Sequence, residues 1–256
     1  MKKFISILLA AMLVVTLSAC GKEQNEPEEV KTTVPVSEEA AVENNDNNAY
    51  SFFNEDNYTA ERGEPTTYPD NKYQIRTTYT IKEKTEHTLP VEITLDSTEI
   101  TFDSTKILNL TGSGWTLADG AKADTSVKAM QKTNTFAKSP DGKNATIYGC
   151  NKTDAPINFI DCVVWDVILD YTGEKTDVAD FNYADGITSE SSIDDVVRKF
   201  GEPDTIFIDE HYVDNEVEYS EITVVYTVKK SIEVRFEFRN EGTKSTMIRA
   251  EFRHQQ

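Results

Sequence analysis

The chain has 256 residues and carries 45 acidic against 26 basic side chains, which gives a formal net charge of -19 at pH 7. Nucleic acids and anionic lipid head groups repel a protein with so large a negative charge. The composition therefore argues against a nucleic-acid-binding protein.

The first 21 residues begin with basic side chains, continue with an apolar run and end with small residues around a cysteine. Lys2-Lys3 precede an apolar run over residues 4–15, which is too short to span a bilayer, and Leu17-Ser18-Ala19-Cys20 follow. This order is typical of a secretion signal. It closely resembles the lipobox of bacterial lipoproteins, which implies cleavage between Ala19 and Cys20 and attachment of diacylglycerol, with acyl chains such as palmitate, to the thiol of Cys20.

The predicted membrane attachment is this lipid, because no apolar segment after residue 19 is long enough to cross a membrane. The lipoprotein resemblance places the mature protein on the extracytoplasmic side of the cell membrane. Gly21, where Asp would indicate retention in the inner membrane, fits this location. A Gram-positive cell surface is favoured, and the periplasm or outer membrane is the alternative in a Gram-negative cell. An ordinary cleaved signal with an incidental cysteine is the other interpretation.

Residues 20–71 follow the predicted signal peptide and are rich in Glu, Asn, Thr, Pro and Asp but poor in aliphatic side chains. Such a segment cannot bury enough apolar surface to offset the entropy lost on ordering. We expect the lipidated cysteine to be followed by a disordered acidic linker. The aromatic stretch from Tyr50 to Tyr58 departs from this composition, and a structureless linker is favoured there over a segment that docks on the folded body.

The clearest helix signals lie in residues 191–203, where Pro203 stops the predicted helix. Ser192 can cap it together with Asp195, and apolar residues recur at helical spacing up to Phe200. Gly201 can adopt the left-handed conformation that closes a helix. The sequence therefore predicts one amphipathic helix at the start of the second half of the chain.

Alternation of apolar and polar residues predicts antiparallel strands after this helix, at residues 205–208, 222–228, 232–239 and 248–253. We expect the helix to cover the apolar face of their sheet. The opposite face is either plain solvated surface, which mixed charge by itself favours, or a surface for a partner. We call this candidate partner surface the charged sheet face, and it comprises seven side chains: Glu233, Arg235, Glu237, Arg239, Arg249, Glu251 and Arg253.

Several of these residues resemble the signature of the SmpA/OmlA (BamE) lipoproteins and of the related beta-lactamase inhibitory protein-like fold, over about Asp185 to Phe252. The matching residues are Gly186-Ile187-Thr188, Ser192, Val196, Phe200-Gly201 and Pro203. The resemblance implies a helical element packed on a four-stranded antiparallel sheet, in tandem copies. BamE proteins have a single domain and this chain has an extra half, so a role in outer-membrane assembly does not follow from the resemblance. No inhibitory residues are carried over, because no motif marks partner surfaces in this fold.

The first half shows a fainter version of the same order of elements. Its predicted strands and short helical stretch lie at residues 75–81, 89–95, 100–102, 105–110 (helical), 133–137, 145–151 and 162–171. We therefore predict an α+β fold of two tandem units, residues 72–178 and 179–256. Each unit would be a short helical element packed on an antiparallel sheet of about four strands, after the disordered tether.

Cys150 and Cys162 flank a loop between two predicted strands. Neighbouring antiparallel strands bring two sulfurs within bridging range if the side chains point the same way. A disulfide is predicted, and closing so short a loop stabilises a fold by about 3 kcal/mol. Two buried free thiols that behave as small hydrophobic groups are the alternative.

Motifs of known chemistry are missing from the sequence. His87, His211 and His254 lie in no HExxH pair, and there is no GxSxG elbow, no SxxK with KTG, and no phosphate-binding glycine loop. Residues 180–186 depart from the calcium-loop spacing. We therefore predict no catalytic residues, no metal, no cofactor and no nucleotide.

The leading functional hypothesis is a lipid-anchored extracytoplasmic binding module without catalytic activity. It would engage a protein or an envelope component through an exposed sheet surface. One alternative is an envelope assembly or maintenance factor. The other is a solute receptor or enzyme whose site lies between the two units.

Overall fold

The computed structural model describes residues 50–84, 86–229, 231–242 and 244–255. The predicted signal peptide with Ala19, the lipidation site Cys20 and residues 21–49 of the predicted linker lie outside the described residues. The described residues belong to one compact unit.

Sixteen strands and two α-helices follow one another in this part of the chain. The first nine strands and the first helix are β1 (Tyr58–Arg62), β2 (Thr66–Tyr68), β3 (Lys72–Ile81), β4 (Glu92–Leu95), β5 (Thr98–Thr101), α1 (Ile107–Gly112), β6 (Thr116–Gly120), β7 (Ser126–Val127), β8 (Lys132–Lys138) and β9 (Asn144–Cys150). The others are β10 (Ile157–Asn158), β11 (Val163–Asp170), β12 (Phe181–Asn182), α2 (Ile193–Phe200), β13 (Thr205–Val213), β14 (Glu216–Lys229), β15 (Ile232–Glu241) and β16 (Lys244–His254).

Eleven of these strands form one antiparallel sheet, which we call the main sheet. Its order is β1-β3-β13-β14-β15-β16-β11-β9-β8-β6, and β2 also pairs with β3. Strands β7 and β10 form a separate pair, and β12, β4 and β5 form a small three-stranded sheet.

The predicted α+β fold of two helix-on-sheet units is wrong. Strands account for 52% of the described residues and helices for 11%, and strands from both halves share the main sheet. Strand β16 of the second half pairs with β11 of the first, from Val167 opposite Phe252 to Asp170 opposite Arg249. Strand β13 pairs with β3 in the same way. Alternation in the sequence indicates which face of a strand is buried, but it does not indicate which neighbour its edge will find.

Strand β15 illustrates why these segments become strands. Ile232, Val234, Phe236 and Phe238 are buried, and the residues between them are half-buried on the opposite face. A period of two puts every second side chain on the same face of a strand. One face of the main sheet therefore packs on the apolar core and the other carries polar side chains.

The predicted second-half helix is present as α2. Ser192 accepts a hydrogen bond from the Asp195 amide, and the Asp195 carboxylate accepts one from the Ser192 amide, which completes a capping box. Val196 is fully buried, and the ring of Phe200 lies 6.3 Å from that of Phe236. The helix thus covers the apolar face of the main sheet, as expected.

Residues 50–71 differ from the predicted disordered linker, because they form β1 and β2 and pack on the body. Phe53 is 9% exposed, and its ring lies 5.3 Å from Tyr58 and 5.1 Å from Tyr79. The Tyr58 hydroxyl donates to the carbonyl of Pro203 at 2.8 Å. Burial of these aromatic rings offsets the entropy cost that the polar composition of the segment led us to expect.

Neither helix in the described ranges combines the length and the apolar composition that a membrane crossing requires.

Replacing Phe53 by Ala should lower the free energy of unfolding by about 3 kcal/mol, because it leaves a cavity against Tyr58 and Tyr79. Urea denaturation of the purified protein measures the change. Val217→Ala is the control, since Val217 is 52% exposed, and its effect should stay within about 0.5 kcal/mol. Equal denaturation midpoints for the Phe53 variant and the unaltered protein would show that this aromatic segment is not part of the folded body.

Candidate functional site

The charged sheet face is assembled by the pairing of β15 with β16. Because side chains alternate along each strand, all seven predicted residues lie on the face opposite the apolar core. The register puts an acid opposite a base at three positions: Glu233 opposite Arg253, Arg235 opposite Glu251, and Glu237 opposite Arg249. The structure therefore brings together the residues that the sequence grouped.

Most of these charges are joined in short ion pairs. Arg235 donates to Glu233 at 2.7 Å, Arg253 donates to Glu251 at 2.9 Å, and Arg249 Nε lies 2.6 Å from a carboxylate oxygen of Glu251. The side chains in these pairs are 12–36% exposed. Exposed or half-exposed pairs of this kind contribute about 0–1 kcal/mol each to stability. Their main effect is to hold long side chains in fixed positions on the sheet.

The same face continues onto β14, β13 and β3, of which β3 lies outside the sheet that the sequence predicted for the second half. Arg239 donates to Glu221 of β14 at 2.6 Å. Next to Glu221 across the β13–β14 pair lies Asp209, which accepts two hydrogen bonds from Arg76 of β3, at 2.8 and 2.6 Å. Arg76 belongs to the first half of the chain, so only the β3–β13 pairing could bring it here. The signal available in the sequence was the alternation of polar and apolar side chains over residues 74–80. It indicates which face of β3 carries Arg76, but it does not indicate which strand pairs with β3.

Glu237 differs from the other acids of the charged sheet face. No ion pair joins it to a base among the described residues, although Arg249 lies opposite it. Burial raises the pKa of the Glu237 carboxyl, and the nearby charge of Glu221 raises it further, while Arg249 acts in the opposite direction. The centre of the face thus holds a carboxylate whose negative charge is only partly compensated.

An aromatic group adjoins the ion pairs at one end of this face. The rings of His211 and Tyr219 are stacked at 4.2 Å with an interplanar angle of 14°, and the Arg239 guanidinium lies 5.0 Å from the Tyr219 ring centre. His211 Nε2 lies 3.6 Å from a carboxylate oxygen of Glu221. Stacking fixes the guanidinium plane, which adds to the rigidity of the face.

The other two histidines also lie against carboxylates inside the fold. His87 Nε2 lies 3.8 Å from Asp204, and its Nδ1 is 3.1 Å from the Phe200 carbonyl at the end of α2. His254 Nε2 lies 3.1 Å from Asp103, and its ring is stacked on Trp165 at 3.6 Å. The contacts of His87 hold its loop against the end of α2, and the contacts of His254 hold β16 against Trp165. Both histidines thus have a structural role. Within the described residues we find no nucleophile hydrogen-bonded to either ring.

Cys150 and Cys162 are both buried free thiols, so the predicted disulfide is not formed. The β9–β11 register puts Cys150 opposite Val163, the residue after Cys162. Successive residues point to opposite faces of a sheet, so the two sulfurs point apart. Burial raises the pKa of Cys162 to about 11 and also raises that of Cys150. Neither thiol is therefore an activated nucleophile at neutral pH.

The described part of the chain contains no group of three or more His, Cys, Asp or Glu side chains arranged to hold a metal ion. The surface depressions lined by described residues include three with volumes of about 490, 400 and 380 Å³. The first lies beside α2, and the second lies between Asp56-Asn57 before β1, the end of β3 and Glu202. The third opens on the same face of the main sheet as the ion pairs and is lined by Phe136 and Ile168.

Glu237→Gln should raise the free energy of unfolding near pH 7 and leave it unchanged below about pH 4, the ordinary range of a glutamic acid. A carboxyl whose pKa is raised on folding binds its proton more tightly in the folded state. The free energy of unfolding therefore falls as the pH rises through the pKa that this carboxyl has in the folded protein. Thermal unfolding of both proteins across this pH range measures the difference. Glu233→Gln, which removes an acid already paired with Arg235, is the control and should not stabilise. A stabilisation that is the same at acidic and neutral pH would contradict this prediction.

Comparison of the chain with protein-family models, curated proteins and solved structures finds no match.

Proposed function

We propose that this chain is a lipid-anchored extracytoplasmic binding module without catalytic activity, which engages a protein or an envelope component through the charged sheet face. The support comes first from the ion pairs themselves. Arg235, Arg239 and Arg249 are held by carboxylates at 2.6–2.7 Å on an open sheet face. Side chains that are already fixed lose less entropy when a partner binds.

The lipid anchor rests on the residues around Cys20 and on their resemblance to bacterial lipoprotein signals. An acylated cysteine keeps the protein at a membrane and leaves its folded body free to meet partners there. The resemblance to BamE-like and beta-lactamase inhibitory protein-like repeats, over about Asp185 to Phe252, points to the same class of function.

A solute receptor or an enzyme is less well supported. That alternative needs a cleft between the two halves, and the described halves are joined by direct pairing of β11 with β16. The three depressions are open to solvent, and buried acids such as Asp209 and Asp166 are held by Arg76 and Lys132. Catalytic groups more often lie in a deep pocket with unpaired ionisable side chains.

An envelope assembly or maintenance factor would use the same surface. It differs by having one fixed partner in a stable complex, recoverable in constant proportion by mild cross-linking. No observation on the described residues favours it over a module that binds transiently.

The double substitution Arg235→Ser and Arg249→Ser should reduce capture of the cellular partner by at least about tenfold, since this corresponds to only about 1.4 kcal/mol of binding energy. Stability should change little, because half-exposed ion pairs contribute about 0–1 kcal/mol each. Quantitative cross-linking in intact cells, followed by mass spectrometry, measures capture, and thermal unfolding measures stability. Arg198→Ser is the matched control, since Arg198 is exposed on α2 and also paired with an acid. If the double variant and the control capture the partner equally well, the charged sheet face is not the binding surface.

Cys20→Ser should abolish lipid attachment and release the protein from the membrane fraction. Metabolic labelling with a radioactive fatty acid and fractionation of the cells measure both effects. Ser18→Ala is a control that keeps the acceptor thiol and should remain labelled. Radioactive fatty acid on the Cys20→Ser protein would show that the lipid is attached to another residue.

A further inference from the structure

We infer that the depression lined by Phe136 binds a basic segment of a partner protein, with a Lys or Arg side chain seated on the Phe136 ring. This inference rests on the proposed function, because it names the kind of partner that the open sheet face takes. We call this depression the Phe136 hollow, and the lining residues that matter are Phe136, Ile168, Val178, Asp170, Glu174 and Asp177.

The Phe136 hollow is continuous with the charged sheet face. Phe136 of β8 lies opposite Thr146 of β9, and Thr146 lies opposite Ile168 of β11. Ile168 in turn lies opposite Glu251 of β16, which belongs to the charged sheet face. Residues opposite each other in a sheet share a face. A partner seated on the ion pairs therefore also covers the hollow.

The floor of the hollow is largely apolar, and Val178 adds an apolar side chain to its wall. Phe136 is 51% exposed, and Ile168, which lies across Thr146 from it, is half-buried. The wall is formed by residues 173–178, which are tied to the start of β9 by two hydrogen bonds of 2.9 Å, from Asn144 Nδ2 to the Asp177 carbonyl and from the Ala179 amide to the Asn144 carbonyl. An exposed aromatic ring on a sheet, next to a fixed wall, is a surface that a partner side chain can cover.

The rim of the hollow is negatively charged. Asp170, Glu174 and Asp177 lie around it, and all three are exposed. Glu174 and Asp177 take part in no ion pair among the described residues, and no basic side chain lines the hollow. Lys175 lies in the same wall but is paired with Glu190, and Arg249, opposite Asp170, is bound by Glu251. Lys138 lies opposite Asn144, beyond the lining residues.

Burial raises the pKa of Asp170, but the hydrogen bonds from the Thr172 amide and hydroxyl outweigh this effect and lower it. Asp170 therefore stays ionised at neutral pH.

An apolar floor with an anionic rim fits one class of side chain. Lys and Arg combine an apolar stem with a cationic head, and their cations are attracted to the face of an aromatic ring. The rim repels acidic peptides and phosphate groups. The net charge of -19 acts in the same direction, because it raises the rate at which basic partners arrive.

The test uses the full chain and a fluorescein-labelled peptide with arginine and leucine alternating over ten residues, with binding followed by fluorescence anisotropy at about 0.15 M salt. Two variants address the hollow, namely Phe136→Ser and the pair Glu174→Gln with Asp177→Asn. Their matched controls are Val217→Ser and the pair Glu216→Gln with Glu218→Gln, which lie exposed at the β13–β14 turn. We expect each hollow variant to weaken binding at least tenfold and each control to change it less than twofold. Circular dichroism checks that all four proteins are folded.

Three results would overturn the inference. The first is equal weakening by the hollow variants and their controls, which would mean that only the overall charge attracts the peptide. The second is no binding of the peptide to the unaltered protein, or equal binding of a peptide with glutamate in place of arginine. The third is self-association in sedimentation that Phe136→Ser abolishes, since the hollow would then hold a second copy of the chain.

A photo-cross-linking residue in place of Thr223 in intact cells separates this inference from the proposed function, because Thr223 lies opposite Glu237 and its replacement leaves every arginine of the charged sheet face in place. If position 223 captures a partner while the hollow variants bind the peptide normally, only the inference about the hollow fails. If position 223 captures nothing, the proposed function fails, whatever the peptide does.

Discussion

The pairing of β11 with β16 is the contact on which the rest of the structure depends. It joins strands from the two halves into one sheet, and it places Phe252 of β16 among aromatic side chains from both. The Phe252 ring lies 5.0 Å from Tyr183, 6.1 Å from Phe236 and 6.2 Å from Phe102. Because this core is shared, neither half buries its apolar surface without the other.

The same pairing creates the surface that we propose for binding. It puts the Phe136 hollow of the first half beside the ion pairs of the second, on one continuous face. The ion pairs are nearly neutral as a group, so they fix positions more than they attract a partner. The hollow differs, because its carboxylates have no bases among its lining residues and its floor is an exposed ring. In this proposal the ion pairs orient the partner, and the neighbouring Phe136 hollow attracts it.

Much of the candidate site could be predicted because it lies within a single hairpin. Glu233, Arg235 and Glu237 alternate with buried apolar residues, so their common face follows from periodicity alone. Arg76, Asp209 and Phe136 could not be assigned to that face, since their strands are distant in sequence and reach it only through long-range pairing. The burial of Phe53 was missed for a similar reason, because its partner Tyr79 lies on another strand.

The sequence by itself determined helix α2 with its Ser192 cap, the strands of the main sheet other than β1, β2 and β6, and the apolar side of those strands. These features depend on residues within one turn of helix, one strand or one short motif. Only the tertiary structure decided that the two halves form one sheet, that residues 50–71 belong to the body, and that Cys150 and Cys162 point apart. Strand edges carry the same backbone donors and acceptors whatever the sequence, so the choice of neighbour follows from how the whole chain buries its apolar surface.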